Sequence, residues 1–319
     1  MIIKSNLKPL ITFLVLFFIF SNKGQSQSKL QTKNHKAITH EYANVNGVKL
    51  HYVKAGNGKK LIMFVHGFPE FWYAYKHQLQ EFSKSGEYTV IAPDMRGYNL
   101  SSKPDSVKEY QVKYMVEDLR QLSEKLGYNK FTLVAHDWGG VIAWWFAITH
   151  PSYLNNLVII NAPHPAIFQR ELSKNPEQQK ASAYITFFQT AQAEKALSSN
   201  NYEQLVNGVF GSYLKSRNFN ETDKQEYLKA WSQPGALTAS LNYYRALKLG
   251  SGLDRSSYKV NVPTLVIWGE KDKYLMTSNL TGLEAYVPDL QIKRLPEGSH
   301  WIIHEQPQLV NKYIRKFIK

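Results

Sequence analysis

Asp137 stands in the run Ala135-His136-Asp137-Trp138-Gly139, between the apolar stretch "FTLVAH" and a second apolar segment that begins at Val141. Small residues two positions before and two after a reactive side chain are the mark of a strand-to-helix elbow, where the two backbones pass close together. Hydrolytic enzymes commonly place a serine at that apex. A carboxylate there faces the free amides and positive end of the following helix, so it should stay ionised. Taken alone, an aspartate before two glycines could equally be an ordinary helix N-cap.

Three further pieces argue for chemistry. "FVHGFPEFWYAY" (Phe64–Tyr75) follows a strand-like run, and Gly67 permits a turn that aims the backbone amide of Phe68 at the elbow. With the amide of Trp138 it would form an oxyanion hole, while His66 reads as a structural group that holds the loop. Asp272, in "VIWGEKDKYL", and His300, in "LPEGSHWIIHEQP", each fall just past a strand. Nucleophile, acid, histidine is the chain order of a hydrolase triad. Glu270 and His304 compete for the last two roles but read as loop or helix-surface groups. A serine attacks a carbonyl carbon, whereas a carboxylate is suited to displacement at a saturated carbon, leaving an ester on itself. Water, activated by His300 and oriented through Asp272, would then attack the carbonyl of that ester; the oxyanion hole serves this second step.

The elements that must position these residues alternate short apolar strands with longer helical segments. "YTVIAPD", "FTLVAH", "LVIIN", "TLVIWGE" and "IKRL" are the strands, several of them unbroken apolar runs suited to burial on both faces of a mostly parallel sheet. Val112–Leu126 and Val141–Thr149 are among the helices between them. "VKLHYV" and "LIMFV", separated by the glycine-rich "KAGNGKK", predict an antiparallel pair. The sum is an α/β fold with its reactive residues at the carboxyl ends of the strands. The rhythm stops between Pro163 and about Gly250, where only helical patterns occur. We therefore expect a core over 35–163 and 250–319 carrying a helical cap, 164–249, able to exclude water from a site beneath.

Composition bounds the alternatives. Hydrophobic residues make up 43% of the 319 and aromatics 13%, enough for a large buried core. The formal charge of +14 is spread without runs of five or six like charges, which points to a solvated basic surface and no nucleic-acid partner. Lys4 and Lys8 precede the apolar run Leu10–Phe20, after which the chain turns small and polar. Eleven helical residues rise only about 16 Å, short for a bilayer core of about 30 Å. Residues 1–28 are therefore expected to be a signal peptide, processed between Gly24 and Ser28, giving a secreted or periplasmic protein; a retained membrane anchor is the alternative. There is no cysteine, and no ligand spacing or phosphate loop implies a metal or organic cofactor.

"HGFPEFWY", "APDMRGY", "HDWGG", "WGEKD" and "GSHW" together resemble the motifs of the epoxide hydrolases of the α/β-hydrolase fold, close to the haloalkane dehalogenases, over nearly everything after the leader. The resemblance implies an α/β-hydrolase fold with a capped sheet, Asp137 as nucleophile, Asp272 as orienting acid and His300 as base. It also implies two cap tyrosines that hold the epoxide oxygen: Tyr184 in "AYITFFQ" and Tyr244 in "NYYRAL", or Tyr243 if the register shifts by one. Asn99, in "MRGYNLSS", stands where that family usually has a second glycine, and a local loop difference is expected there. An alkoxide leaving group needs a proton donor, which the tyrosines supply. A departing halide needs N–H donors instead, and the dehalogenases place a second side-chain donor where this chain has Phe68. The fluoroacetate dehalogenase relatives look for an arginine after the nucleophile, where Trp138 stands. Hydrolase-fold proteins that only bind ligands typically lose part of the triad, which this chain keeps. The expected partners are thus a small apolar epoxide and water.

Overall fold

The structure, a computed structural model, describes residues 38–211 and 219–319; the leader lies outside the described residues. Eight strands form one sheet: β1 (Thr39–Val45), β2 (Val48–Gly56), β3 (Lys60–Val65), β4 (Tyr88–Pro93), β5 (Phe131–His136), β6 (Leu154–Ile160), β7 (Thr264–Gly269) and β8 (Leu290–Leu295), in the order β1-β2-β4-β3-β5-β6-β7-β8. From β4 to β8 all neighbours are parallel, as the unbroken apolar runs predict. Every residue of β4, β5 and β7 is buried. Alternate residues of β5 serve different cores: Leu133 and Ala135 face one, Val134 the other.

Most flanking helices turn one apolar stripe to the sheet, whereas α3 is apolar nearly all round and largely buried. On one face pack α2 (Val112–Lys125), through Met115, Leu119 and Leu122, and α3 (Trp138–Thr149), through Ile142 and Phe146. On the other lie Leu79 and Phe82 of α1 (Lys76–Ser83), with Val310 and Ile314 of the last helix. Between β6 and β7 the described residues form α4 (Pro165–Lys174), α5 (Pro176–Ala181), α6 (Ala183–Phe188), α7 (Ala193–Phe210, broken by non-helical backbone at Ser199–Tyr202), α8 (Glu221–Trp231) and α9 (Ala236–Ala246). After β8 follow α10 (Ile302–Glu305) and α11 (Pro307–Phe317). A reciprocal capping box between Asn220 and Asp223 starts α8.

One expected pairing is wrong. β2 and β3 are not a hairpin: β4 lies between them, antiparallel to β2 and parallel to β3. The glycines of "KAGNGKK" serve a crossing rather than a tight turn. Gly56 has φ +75°, and a Cβ on Gly58 would sit 2.0 Å from the Glu87 carbonyl carbon, because the link passes over the start of β4. The true hairpin partner of β2 is β1, turned at Asn46 (φ 45°) and Gly47 (φ 78°). Asn-Gly is the strongest short hairpin signal a sequence carries.

Past β4, Arg96 holds the "DMRGY" loop to α2. Its Nε and Nη2 donate to the two Asp118 oxygens at 2.6 and 2.5 Å, with both side chains almost wholly buried. Asn46 Nδ2 adds a donor to Asp118 at 2.9 Å. Arg96→Met strands a buried carboxylate, so we expect a loss of about 3–5 kcal/mol in urea unfolding. Arg96→Met with Asp118→Leu should regain most of it; equal loss in single and double variants would contradict this account.

Candidate active site

The sequence-predicted residues converge at the carboxyl ends of the parallel strands. Asp137 ends β5 in a left-handed conformation, φ 51° and ψ −124°, and α3 starts at the next residue. Such a conformation is strained for a residue with a Cβ and turns the side chain out at the apex. Room for it comes from glycines. A Cβ on Gly67 would lie 2.1 Å from Asp137 Oδ1, and one on Gly139 would lie 2.2 Å from the Val65 carbonyl oxygen.

Asp137 Oδ1 accepts the Phe68 backbone amide at 2.7 Å, and the Trp138 amide also donates to the carboxylate. Its Oδ2 lies 3.5 Å from His300 Nε2. On the far side of the ring, His300 Nδ1 hydrogen-bonds Asp272 Oδ2 at 2.7 Å. Burial alone would push the Asp137 carboxyl up, but the bond and attraction to His300, with the amides, outweigh it and hold the group below the usual carboxylate range. Burial opposes the charged form of His300 too, yet Asp272 and Asp137 raise it to about 10. The resting site is thus an imidazolium between two carboxylates.

Tyr184 from α6 and Tyr244 from α9 close the cavity from above. Their rings are 6.0 Å apart, and with Asp137, His300, Phe68 and Phe188 they line a space of about 210 Å³. Asp137 and the same tyrosines also border a second apolar space of about 100 Å³, walled by Trp138, Val141 and Phe168. Burial pushes both phenols well above 10, so each remains a hydrogen-bond donor. Tyr243 points elsewhere: its hydroxyl donates to the Arg96 carbonyl at 2.8 Å. Tyr244 is therefore the cavity residue of the pair.

His66 Nε2 accepts the Met95 amide at 3.0 Å, which leaves Nδ1–H to donate to the Gly67 carbonyl at 2.9 Å and pin the loop. Glu270 pairs with Arg294, away from His300. His304 is not the surface group its spacing suggests. It is buried, 2.5 Å from Glu70 Oε1, because the short α10 tucks beneath the "HGFPE" segment. Asn99 takes φ 39° in place of a glycine and donates to Asp94 Oδ2 at 2.8 Å, a local bond that offsets the left-handed strain.

Three residues escaped the sequence analysis. Asn161, at φ 39° beyond β6, donates to Asp272 Oδ2 at 2.7 Å and brackets Gly269 through both its amide atoms. Together with the Tyr274 and Leu275 amides on Oδ1, it fixes the carboxylate that orients His300. Tyr274 stands in the cavity, its ring 5.3 Å from that of His300. Glu70, fully buried, accepts from Tyr227 of α8 at 3.0 Å and lies 3.3 Å from His136 Nδ1, whose other nitrogen meets the His300 carbonyl at 2.8 Å. Burial pushes Glu70 up, but His304 and His136 prevail and keep it ionised. Among the described residues, no group of three or more histidines and carboxylates is placed to hold a metal ion.

The sequence profile of the alpha/beta hydrolase fold matches residues 60–307. The AB hydrolase superfamily protein YfhM of Bacillus subtilis is 40% identical over 281 residues, 88% of this chain and 97% of its own. Epoxide hydrolase 4 of Mus musculus is 37% identical over 290 residues, 88% of this chain and 80% of its own. Among solved structures, an epoxide hydrolase from Bacillus megaterium, crystallised with an inhibitor, superposes with a TM-score of 0.83 at 40% identity, covering 87% of this chain and 99% of that one. With that agreement in sequence and fold, the chain belongs to the epoxide hydrolase family of the α/β-hydrolase fold.

Proposed function

We propose that the protein hydrolyses an apolar epoxide to a vicinal diol through an ester on Asp137. One observation carries this reading: an ionised carboxylate, held by two amides and a histidine, opens onto a cavity whose opposite wall presents two protonated phenols. Asp137 Oδ1 is engaged by the Phe68 amide, so Oδ2, on the His300 side, is the nucleophile. It forms a bond to one epoxide carbon as that carbon's bond to oxygen breaks, and the departing oxygen takes a proton from Tyr184 or Tyr244. The helices over 164–249 act as the cap that brings these donors.

In the second step His300, its resting proton passed to the tyrosinate that ring opening leaves, removes a proton from water, and the water oxygen adds to Cγ of the ester. The Phe68 and Trp138 amides hold the oxyanion at Oδ1. Collapse breaks the bond between Cγ and Oδ2 as the departing oxygen takes the proton back from His300, so the diol leaves with an oxygen that belonged to Asp137. One turnover in ¹⁸O-water should therefore give unlabelled diol and a labelled Asp137 peptide by mass spectrometry. Labelled diol in that first turnover would mean direct attack by water. Asp137→Ala should form no diol from a simple aryl epoxide. The Phe68 side chain offers no N–H to a departing halide, which disfavours haloalkanes. The apolar leader supports export to a secreted or periplasmic location, tested by N-terminal sequencing of the protein recovered after expression of the full chain.

A further inference from the structure

We propose that Arg245 is a positioning residue that sets the spacing of the two cavity tyrosines, an inference that rests on reading Tyr184 and Tyr244 as the donors to the epoxide oxygen. α6, which carries Tyr184, is six residues long and none of them is fully buried. So short a helix has little stability of its own, and its place depends on what its ends are tied to. At its N-terminal side Gln178 Nε2 donates to Ser182 Oγ and to the Tyr274 carbonyl, both at 2.8 Å. At its C-terminal side Phe188 packs against Phe68 of the core, while two polar ties run to the turn of α9 that carries Tyr244. Gln189 Nε2 donates to the Tyr244 carbonyl at 3.0 Å, and Arg245 Nη2 donates to the Thr190 carbonyl at 3.1 Å.

Arg245 then reaches one turn further, to Glu194 at the start of α7. Nη1 and Nη2 meet the two carboxylate oxygens at 2.7 and 2.8 Å, a forked pair of defined geometry. Asn242 Oδ1, one turn back on α9, accepts from Nη1 at 3.2 Å and fixes the side chain's direction. One guanidinium thus joins α9, the α6–α7 turn and the first turn of α7. Arg245 follows Tyr244 directly, so the two side chains leave α9 about 100° apart, one into the cavity and the other onto this clamp. Its role is geometric: the charges acting most on the phenols are Asp137 and Asp272, beside neighbouring tyrosines.

The test separates ring opening from ester hydrolysis in the full-length protein, by rapid quench with a simple aryl epoxide in single turnover. Arg245→Met should slow ester formation by about 10- to 100-fold, the cost of an ångström-scale misplacement. Ester hydrolysis should stay within about twofold, because the groups that perform it lie on the core. Arg245→Lys, which can pair with Glu194 but cannot also fork to Thr190, should recover part of the loss even if Arg245→Met folds poorly. In a Tyr184→Phe, Tyr244→Phe background, Arg245→Met should add little, since both donors whose spacing it sets are already gone. Unchanged ester formation in both Arg245 variants would overturn the inference, as would a fall of both steps together with the melting temperature. If Tyr184→Phe and Tyr244→Phe themselves leave ester formation unchanged, the reading of the tyrosines fails instead.

Discussion

His300→Gln should stall the protein after its first half-reaction. With an aryl epoxide, the variant is expected to gain the mass of one epoxide, located on the elbow peptide at Asp137. Steady-state turnover should fall by about 10²–10⁴, the range in which loss of a general base is felt. Alkylation survives because the Phe68 and Trp138 amides still face the carboxylate. On the proposed route, the wild-type electrostatics would keep His300 silent in the first step and active in the second. In the resting site its proton is held by two carboxylates, at a pKa raised to about 10. Esterification removes the Asp137 charge, so one of the two attractions vanishes and the imidazole becomes easier to deprotonate. The group's folded-state pKa therefore drops when the ester forms, and the base appears only when there is an ester to hydrolyse. Hydrolysis of the wild-type ester should accelerate as pH rises through that lowered pKa, and His300→Gln should lose this limb. An unmodified elbow peptide in His300→Gln, after exhaustive incubation, would dismiss the covalent route.

What could be read from the sequence was local, and what escaped was not. The elbow is five consecutive residues, and its geometry follows from their order. The parallel core was equally legible, since unbroken apolar runs such as "FTLVAH" have only one comfortable place. The position of β4 between β2 and β3 is a long-range fact: nothing in "KAGNGKK" says that its glycines cross a strand instead of closing a turn. The β1–β2 hairpin, by contrast, did carry its signal, in Asn46-Gly47. Asn161 supports Asp272 from 111 positions away, and Glu70 meets His304 from 234 positions away. A buried polar residue has no signature until its partner is known, so neither stands out in the sequence, and the spacing of His304 alone suggests a surface position. The choice between Tyr243 and Tyr244 likewise needed the fold, because adjacent helical residues differ only in the face they present, and the Arg96 carbonyl claims one of them.

Phenylalanine at both Tyr184 and Tyr244 should slow ester formation by about 10²–10⁴ while leaving hydrolysis of a preformed ester nearly unchanged. The asymmetry follows from where protons are needed. Opening an epoxide leaves a strongly basic oxygen, and the phenols are the acidic groups that close the cavity opposite Asp137. Both stay protonated into the alkaline range, first through burial, then through the Asp137 charge for Tyr184 and through Tyr184 and Asp137 for Tyr244. Ester formation should therefore keep its rate at alkaline pH for as long as the phenols hold their protons. On the proposed route, once the ester exists the attacking water is served by His300 and the oxyanion by backbone amides, none of which the substitution touches. Each single variant should fall between the wild type and the double, because a second donor stands 6.0 Å away, ring to ring. An alkyl halide control separates proton donation from simple distortion of the cavity, since halide departure requires no proton. If its slow alkylation of Asp137 falls as much as epoxide opening does, the phenols act through shape. If only the epoxide reaction falls, they act as acids, and the hydroxyl groups account for the choice of a strained ether over a halide.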